Sequence, residues 1–310
     1  MMLFLKVITN LVAVSAFLTV GTASALSVTA DTSFGPSPGT IGAFRSVPEG
    51  GTVGSRIVEQ DGIVEGFIIG NDVGAFSGYS VSRTEISNFN GGVDNHLITS
   101  SYSWEDTFTN TSSVGQNYNY LLNIDSGFLG LITDGVGPSN ASTSEFARYQ
   151  IDVLLNGSSI WSSRTEVSQS LGGTTQNQSG TSFGGSFGNF TIPAGGLLDF
   201  ASLVPSVVGG SAYGYQWGAF NDTVNLGVIA AGASFTLTYL AVIEAGGFNS
   251  TQEFNGYTSV ASLGDPATLS SSPANQVSVV PVPASIFLMG SGLIGLLVPM
   301  RCKRTSNVAL

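Results

Sequence analysis

Ser234-Phe235-Thr236-Leu237-Thr238-Tyr239-Leu240-Ala241-Val242-Ile243 decides the fold. Phe235, Leu237, Tyr239, Ala241 and Ile243 alternate with Ser234, Thr236, Thr238 and Leu240. Successive side chains of a strand point to opposite faces, so this run offers one apolar face and one largely polar face. The same period recurs at Tyr149, Ile151, Val153 and Leu155 against Arg148, Gln150 and Asp152, and at Tyr118, Tyr120, Leu122 and Ile124 against Asn117, Asn119 and Asn123. The apolar members are β-branched or aromatic, as strands favour. Away from the two ends of the chain, no window of this length carries a capped 3.6-residue period. The expected fold is all-β, an antiparallel β-sandwich of jelly-roll or immunoglobulin-like type.

Turn signals separate the strands. Asn156-Gly157, between Ile151–Leu155 and Ser159–Trp161, takes positive φ easily and predicts a type I′ hairpin. Asn90-Gly91-Gly92, Asp134-Gly135-Val136-Gly137-Pro138 and Ala230-Ala231-Gly232 predict further turns. Asp31 to Gly54 is rich in Gly, Pro and Ser and reads as an irregular lead-in; Gln169 to Asn189 reads as a long loop or ragged hairpin. Residues 26–262 read as one domain, with a break near 170–190 as the alternative. Residues 263–279, above all Leu263 to Gln276, read as a flexible spacer.

The two ends read as addresses. Lys6, an apolar stretch from Val7 to Val20 and small residues at Ala23 and Ala25 give the order of a secretory signal peptide over residues 1–25, with cleavage after Ala25. Near the other end, residues 284–300 carry no charge. As a helix they would span roughly 25 Å at 1.5 Å per residue, the short limit for a bilayer core of about 30 Å. Arg301, Lys303 and Arg304 would hold the far side at cytoplasmic headgroups. A simple C-terminal anchor to the membrane, on a periplasmic protein, is the plainer reading of this span.

Ahead of the span stands Val280-Pro281-Val282-Pro283-Ala284. Together with the Gly-containing apolar run and the basic cluster, this resembles the PEP-CTERM sorting signal in its VPLPA-like variant, with Val282 where that variant usually has Leu. The resemblance covers residues 280–304. It implies a Gram-negative, polysaccharide-making bacterium, and an exosortase (a membrane cysteine transpeptidase) that recognises and removes the tail at the inner membrane. Tyr102 to Thr111, Leu154 to Ser158 and Gly232 to Tyr239 also look like segments of other exported PEP-CTERM β-proteins, a group with no common activity.

Composition narrows the partners. Residues 26–280 hold all 20 acidic residues and five basic ones (Arg45, Arg56, Arg83, Arg148 and Arg164), a net charge of −15, and no lysine. Nucleic acid and anionic lipid surfaces need basic patches, so neither is expected as a partner of the domain. A neutral glycan or exopolysaccharide is electrostatically acceptable. Cys302 is the sole cysteine, so no intramolecular disulfide forms and a core must supply the stability.

Candidate chemistry is sparse, and no cofactor is implied. Gly180-Thr181-Ser182-Phe183-Gly184 and Gly184-Gly185-Ser186-Phe187-Gly188 match the hydrolase elbow pattern. That elbow needs a following helix and a later histidine, while the one histidine, His96, comes earlier. Asn88, Asn90, Asp94 and Asn95 gather oxygen ligands in a Gly-containing loop, a weak calcium candidate without EF-hand spacing. Glu59, Asp61 and Glu65 read as a solvated acidic edge. Glu105 and Asp106 are adjacent, so on a strand they face opposite ways. Tyr213, Tyr215 and Trp217 share one face, as a sugar-stacking platform or as core; Trp104 and Trp161 read as core. The expected role is therefore non-catalytic: an exported structural or adhesive protein of the cell surface or biofilm matrix, with carbohydrate binding as the alternative.

Overall fold

The computed structural model describes residues 27–35, 52–59, 64–71, 76–84, 94–133, 143–170, 173–192, 210–249, 257–264 and 275–280. These form sixteen strands: β1 (Ser27–Gly35), β2 (Thr52–Glu59), β3 (Val64–Asn71), β4 (Phe76–Thr84), β5 (Asp94–Thr109), β6 (Gln116–Ile124), β7 (Gly127–Thr133), β8 (Thr143–Leu155), β9 (Ser158–Ser170), β10 (Gly173–Gly180), β11 (Ser186–Thr191), β12 (Ser211–Trp217), β13 (Phe220–Ile229), β14 (Ser234–Asn249), β15 (Tyr257–Leu263) and β16 (Asn275–Val279). The protein is all-β, and no helix occurs among the described residues.

The strands build three sheets. The first runs β1-β5-β14-β8-β9-β10, the second β11-β12-β7-β15-β4-β3-β2, and the third β13-β6-β16. Every pairing is antiparallel. β14 lies at the centre of the first sheet, paired with β5 from Ser234↔Thr109 to Asn249↔Asp94 and with β8 from Leu237↔Leu155 to Asn249↔Thr143. Its apolar alternation has the predicted consequence, because Phe235, Leu237, Tyr239, Ala241 and Ile243 are all buried. Full burial of each large side chain among them contributes about 1.5–3 kcal/mol.

One core serves all three sheets. Ile151 and Tyr239 from the first, Leu129 and Trp217 from the second, and Tyr120 and Leu226 from the third belong to the same buried cluster. Rings meet across the layers: Tyr149 lies 4.9 Å from Trp217, and Tyr118 stands edge-on to Phe235 at 5.4 Å. Close approach depends on glycine at particular points. A Cβ on Gly70 would sit 2.1 Å from the Tyr102 ring, so β3 passes over β5 only because that atom is absent. On the opposite face of the second sheet, Tyr79, Val81, Ile132, Phe190 and Val260 form a separate buried cluster.

The Asn156-Gly157 hairpin forms as expected, with φ of 51° and 79°. Asn156 also ties the turn to β14, its N–H donating to the Thr236 carbonyl at 2.8 Å and its Oδ1 accepting from the Thr236 N–H at 2.9 Å.

Three expectations need correction. Asp31–Gly35 and Thr52–Gly54 belong to β1 and β2 rather than to an irregular lead-in. For Gln169–Asn189 the hairpin reading holds and the long-loop reading does not: β9 runs to Ser170 and pairs antiparallel with β10 at the edge of the first sheet, and β11 edges the second. The chain passes from the first sheet to the second at residues 181–185. Residues 263–279 are not a free spacer at both ends, because Leu263 is buried in β15 and Asn275–Val279 form β16. The expected signal peptide (1–25), the expected sorting residues after Val280 and the expected span 284–300 lie outside the described residues. Among the described residues, no helix is long and apolar enough to cross a membrane.

Candidate functional site

The third sheet carries the residues that precede the Pro motif. β16 alternates Val277 and Val279, packed against the core, with Ser278, and pairs with β6 from Asn275↔Leu122 to Val279↔Tyr118. The last tie is the Val280 N–H donating to the Asn117 carbonyl at 2.8 Å. Pro281, the next residue, has no N–H and cannot donate a further ladder bond. Val280 is therefore held at the edge of a sheet.

Beside this exit, the β5–β6 and β13–β14 connections are bound together by Asn110. Its side-chain amide donates to the carbonyls of Val114 (2.9 Å), Ile229 (2.8 Å) and Ala230 (3.1 Å). Its Oδ1 accepts from the N–H and hydroxyl of Ser112, its N–H donates to the Ala233 carbonyl, and its own carbonyl accepts from Gly232. Asn110 is buried, with its donors and acceptors in use. The expected turn at Ala230-Ala231-Gly232 is closed by the Ala233 N–H donating to the Ala230 carbonyl at 3.1 Å, with Gly232 at φ 71°.

The aromatic row is divided. Tyr215 and Trp217 are 2% and 5% exposed and stack at 5.5 Å within the core, while Tyr213 is 38% exposed. The three rings therefore do not make an open platform: the inner end of β12 is covered by the first sheet and only its outer end is free. Tyr213 instead meets Phe187 of β11 edge-on at 5.1 Å and 80°. Phe187 lies in a Gly/Ser-rich stretch with little apolar pattern, so the sequence alone does not mark it as a neighbour of Tyr213. Its register opposite Tyr215 is the feature that brings it to the same face.

The acidic residues are dispersed. Glu105 is exposed and accepts from the Thr238 hydroxyl, whereas Asp106 is buried, as opposite faces require. Glu65 corrects the solvated-edge reading, since it is fully buried and accepts from the Tyr79 hydroxyl at 2.9 Å. Asn88 and Asn90 lie outside the described residues, while Asp94 and Asn95 open β5 opposite Asn249 and Phe248. Among the described residues there is no group of three or more His, Cys, Asp or Glu placed to hold a metal ion. His96 pairs with Gly247 inside the first sheet. Ser182 precedes a strand rather than the helix an elbow needs, and Ser186 opens that strand.

The outer face of the first sheet is polar and laddered. Thr107 and Thr236 hydroxyls bond at 3.1 Å, as do Ser168 and Thr175, and Thr109 bonds Ser234 at 2.8 Å. Arg148 lies between Glu244 and Glu166, which raise its pKa, Glu244 most strongly through a side-chain hydrogen bond. It also stands over the Phe146 ring at 5.1 Å. The outer face of the third sheet places Asn119 opposite Asn225 and Asn123 opposite Asn221. Both faces thus offer many uncharged hydrogen-bonding groups.

Beneath these faces lie buried tyrosines. Burial pushes Tyr239 and Tyr120 well above the usual phenol value, with neighbouring tyrosines adding to the effect. Burial raises Tyr149 to about 12, opposed by hydrogen bonds to Ser163 and Thr165.

No family model matches the chain, and no curated protein matches it. Among solved structures, one from the infectious bursal disease virus Gt strain is similar at 10% identity and a TM-score of 0.11, covering 88% of this chain and 72% of that one, a likeness too slight to carry an argument.

Proposed function

We propose that the chain is an exported protein, sorted by an exosortase through residues 280–304 and released to the cell surface or extracellular polysaccharide, where it serves a structural or adhesive role without catalysis. The three sheets are read as an antiparallel β-sandwich, with the first sheet as one layer and the second and third as the other. The observation that carries the proposal is the order along the chain: a folded β domain, then Val280-Pro281-Val282-Pro283-Ala284, an uncharged membrane-length run and a basic cluster. The tethering of Val280 supports it further, because the motif would be offered at one fixed place on the domain. Uncharged hydroxyl and amide ladders on two faces suit contact with a neutral polysaccharide, which hydrogen-bonds through hydroxyls.

The test is the intact mass and cell fraction of the native protein against a Pro281→Ala/Pro283→Ala variant. The expected result is a wild type found outside the cell and lacking both ends, with the variant held in the inner membrane at tail-bearing mass. If both forms keep the C-terminal run and stay in the membrane, the tail is a plain anchor and sorting is rejected.

A further inference from the structure

The end of the domain at which the chain departs toward the apolar run is also where its most exposed aliphatic side chains lie. Val228 is 73% and Val114 57% exposed, the two highest values among the exposed large hydrophobics of the described residues. Val280, Asn117 and Val228 occupy one row across β16, β6 and β13. Two strand spacings put Val280 about 10 Å from Val228. Val114 sits in the connection just before β6, and Val228 lies against Gly115, where a Cβ would meet its Cγ1 at 3.1 Å.

We infer that this tip, formed by residues 110–116 and 228–233, docks into the headgroup layer of the bilayer that residues 284–300 enter. The inference rests on the reading of that run as a membrane span. Only Pro281, Val282 and Pro283 separate Val280 from the run. Three residues reach at most about 10 Å, so the tip stays close to the interface whenever the span is inserted. The headgroup region on each side is itself about 5–8 Å deep.

The tip is chemically suited to that layer. Residues 107–121 and 223–239 contain no charged side chain, although residues 26–280 carry −15 overall. Asn110 fixes the two connections together, so the valines are presented without a further ordering cost. Two valines are far too little to hold a protein on a membrane, since even a myristoyl chain gives only marginal binding. The tip would therefore orient the domain while the tail is attached and let go once the tail is removed.

The test uses the full chain with Cys302→Ser, reconstituted in vesicles, with single labelling cysteines at Val114→Cys, Val228→Cys or Ser126→Cys. Ser126 is exposed beyond the opposite end of β6, which at about 3.4 Å per residue lies roughly 27 Å away. An environment-sensitive fluorophore is read against lipids brominated in the upper acyl chain. The expected result is co-flotation with the vesicles and loss of about half the emission at 114 and 228, the depth expected of interfacial groups, with little loss at 126. Co-flotation with equal quenching at all three positions overturns the docking and leaves the span intact. Failure to co-float overturns the span reading and the docking with it.

Discussion

Two buried tyrosines of the first sheet should respond in opposite ways to loss of the hydroxyl. Tyr149 is the middle of a relay: Thr165 donates to its oxygen at 3.0 Å, it donates to Ser163 at 3.1 Å, and Ser163 donates to the Thr181 carbonyl at 2.6 Å. Tyr149→Phe strands a donor on Thr165 and an acceptor on Ser163, both buried, at a cost of about 1.5–3 kcal/mol. The Tyr239 hydroxyl is buried with no hydrogen-bond partner among the described residues. Tyr239→Phe removes a desolvated group that gains nothing from folding, so stability should stay level or rise by about 1 kcal/mol. The gap between the variants is then roughly 2–4 kcal/mol by the same bookkeeping. Equilibrium urea unfolding of the full chain in mild detergent, followed by tryptophan emission, reads it: Trp104, Trp161 and Trp217 are all buried and report the same core. The slope with urea should be unchanged, because neither variant alters the surface exposed on unfolding. A Tyr239→Phe variant that loses as much as Tyr149→Phe would refute the account of both hydroxyls.

Alkaline unfolding should follow from the same residues. Tyr149 has a folded pKa of about 12, raised from 10.0, and Tyr120 and Tyr239 are raised well above that value. Above pH 10 the unfolded chain binds fewer protons than the folded one, so the stabilisation present below pH 10 falls by about 1.4 kcal/mol per pH unit for each such tyrosine. Tyr149→Phe should make the decline between pH 10 and 12 shallower by about that amount; an unchanged slope in circular dichroism would count against it. In the aromatic row, Trp217→Ala should cost about 3–5 kcal/mol and Tyr213→Ala less than about 1 kcal/mol, measured by urea midpoint. Equal losses would mean that the split between buried Trp217 and half-open Tyr213 is wrong.

Much of the fold was legible in short-range pattern. The alternations at Phe235–Ile243, Tyr149–Leu155 and Tyr118–Ile124 became β14, β8 and β6 with their apolar members inside, because period two fixes which face each residue occupies. Asn156-Gly157 and Ala230-Ala231-Gly232 turned where their backbone preferences allow. What escaped was set at long range. β10 carries Gln176, Asn177 and Gln178 with almost no apolar signal, and it is a strand because β9 offers it an edge. β16 has only Val277 and Val279 as pattern, and its partner β6 lies more than 150 residues earlier. Glu65 looked solvated beside Glu59 and Asp61, yet strand parity carries it to the face it shares with Tyr79.

The site was legible in a complementary way. The motif at 280–284 and the apolar run after it are visible in composition alone, but how they join the domain is not. A flexible spacer would leave the Pro motif free to wander from the domain, and processing would then depend on the tail alone. A final strand bonded at Val280 ties the position of the motif to the integrity of the third sheet. Its ladder with β6 is short, so β16 belongs to the part of the fold that opens most cheaply. Weakening it should therefore change access to the tail before it changes the core. Val277→Ser is the direct test: Val277 is only partly buried and contacts the core from the edge. It should lower the urea midpoint by no more than the equivalent of about 1 kcal/mol while speeding limited proteolysis around residues 275–284 by about fivefold or more. Proteolysis at the wild-type rate would mean that β16 does not govern the tail.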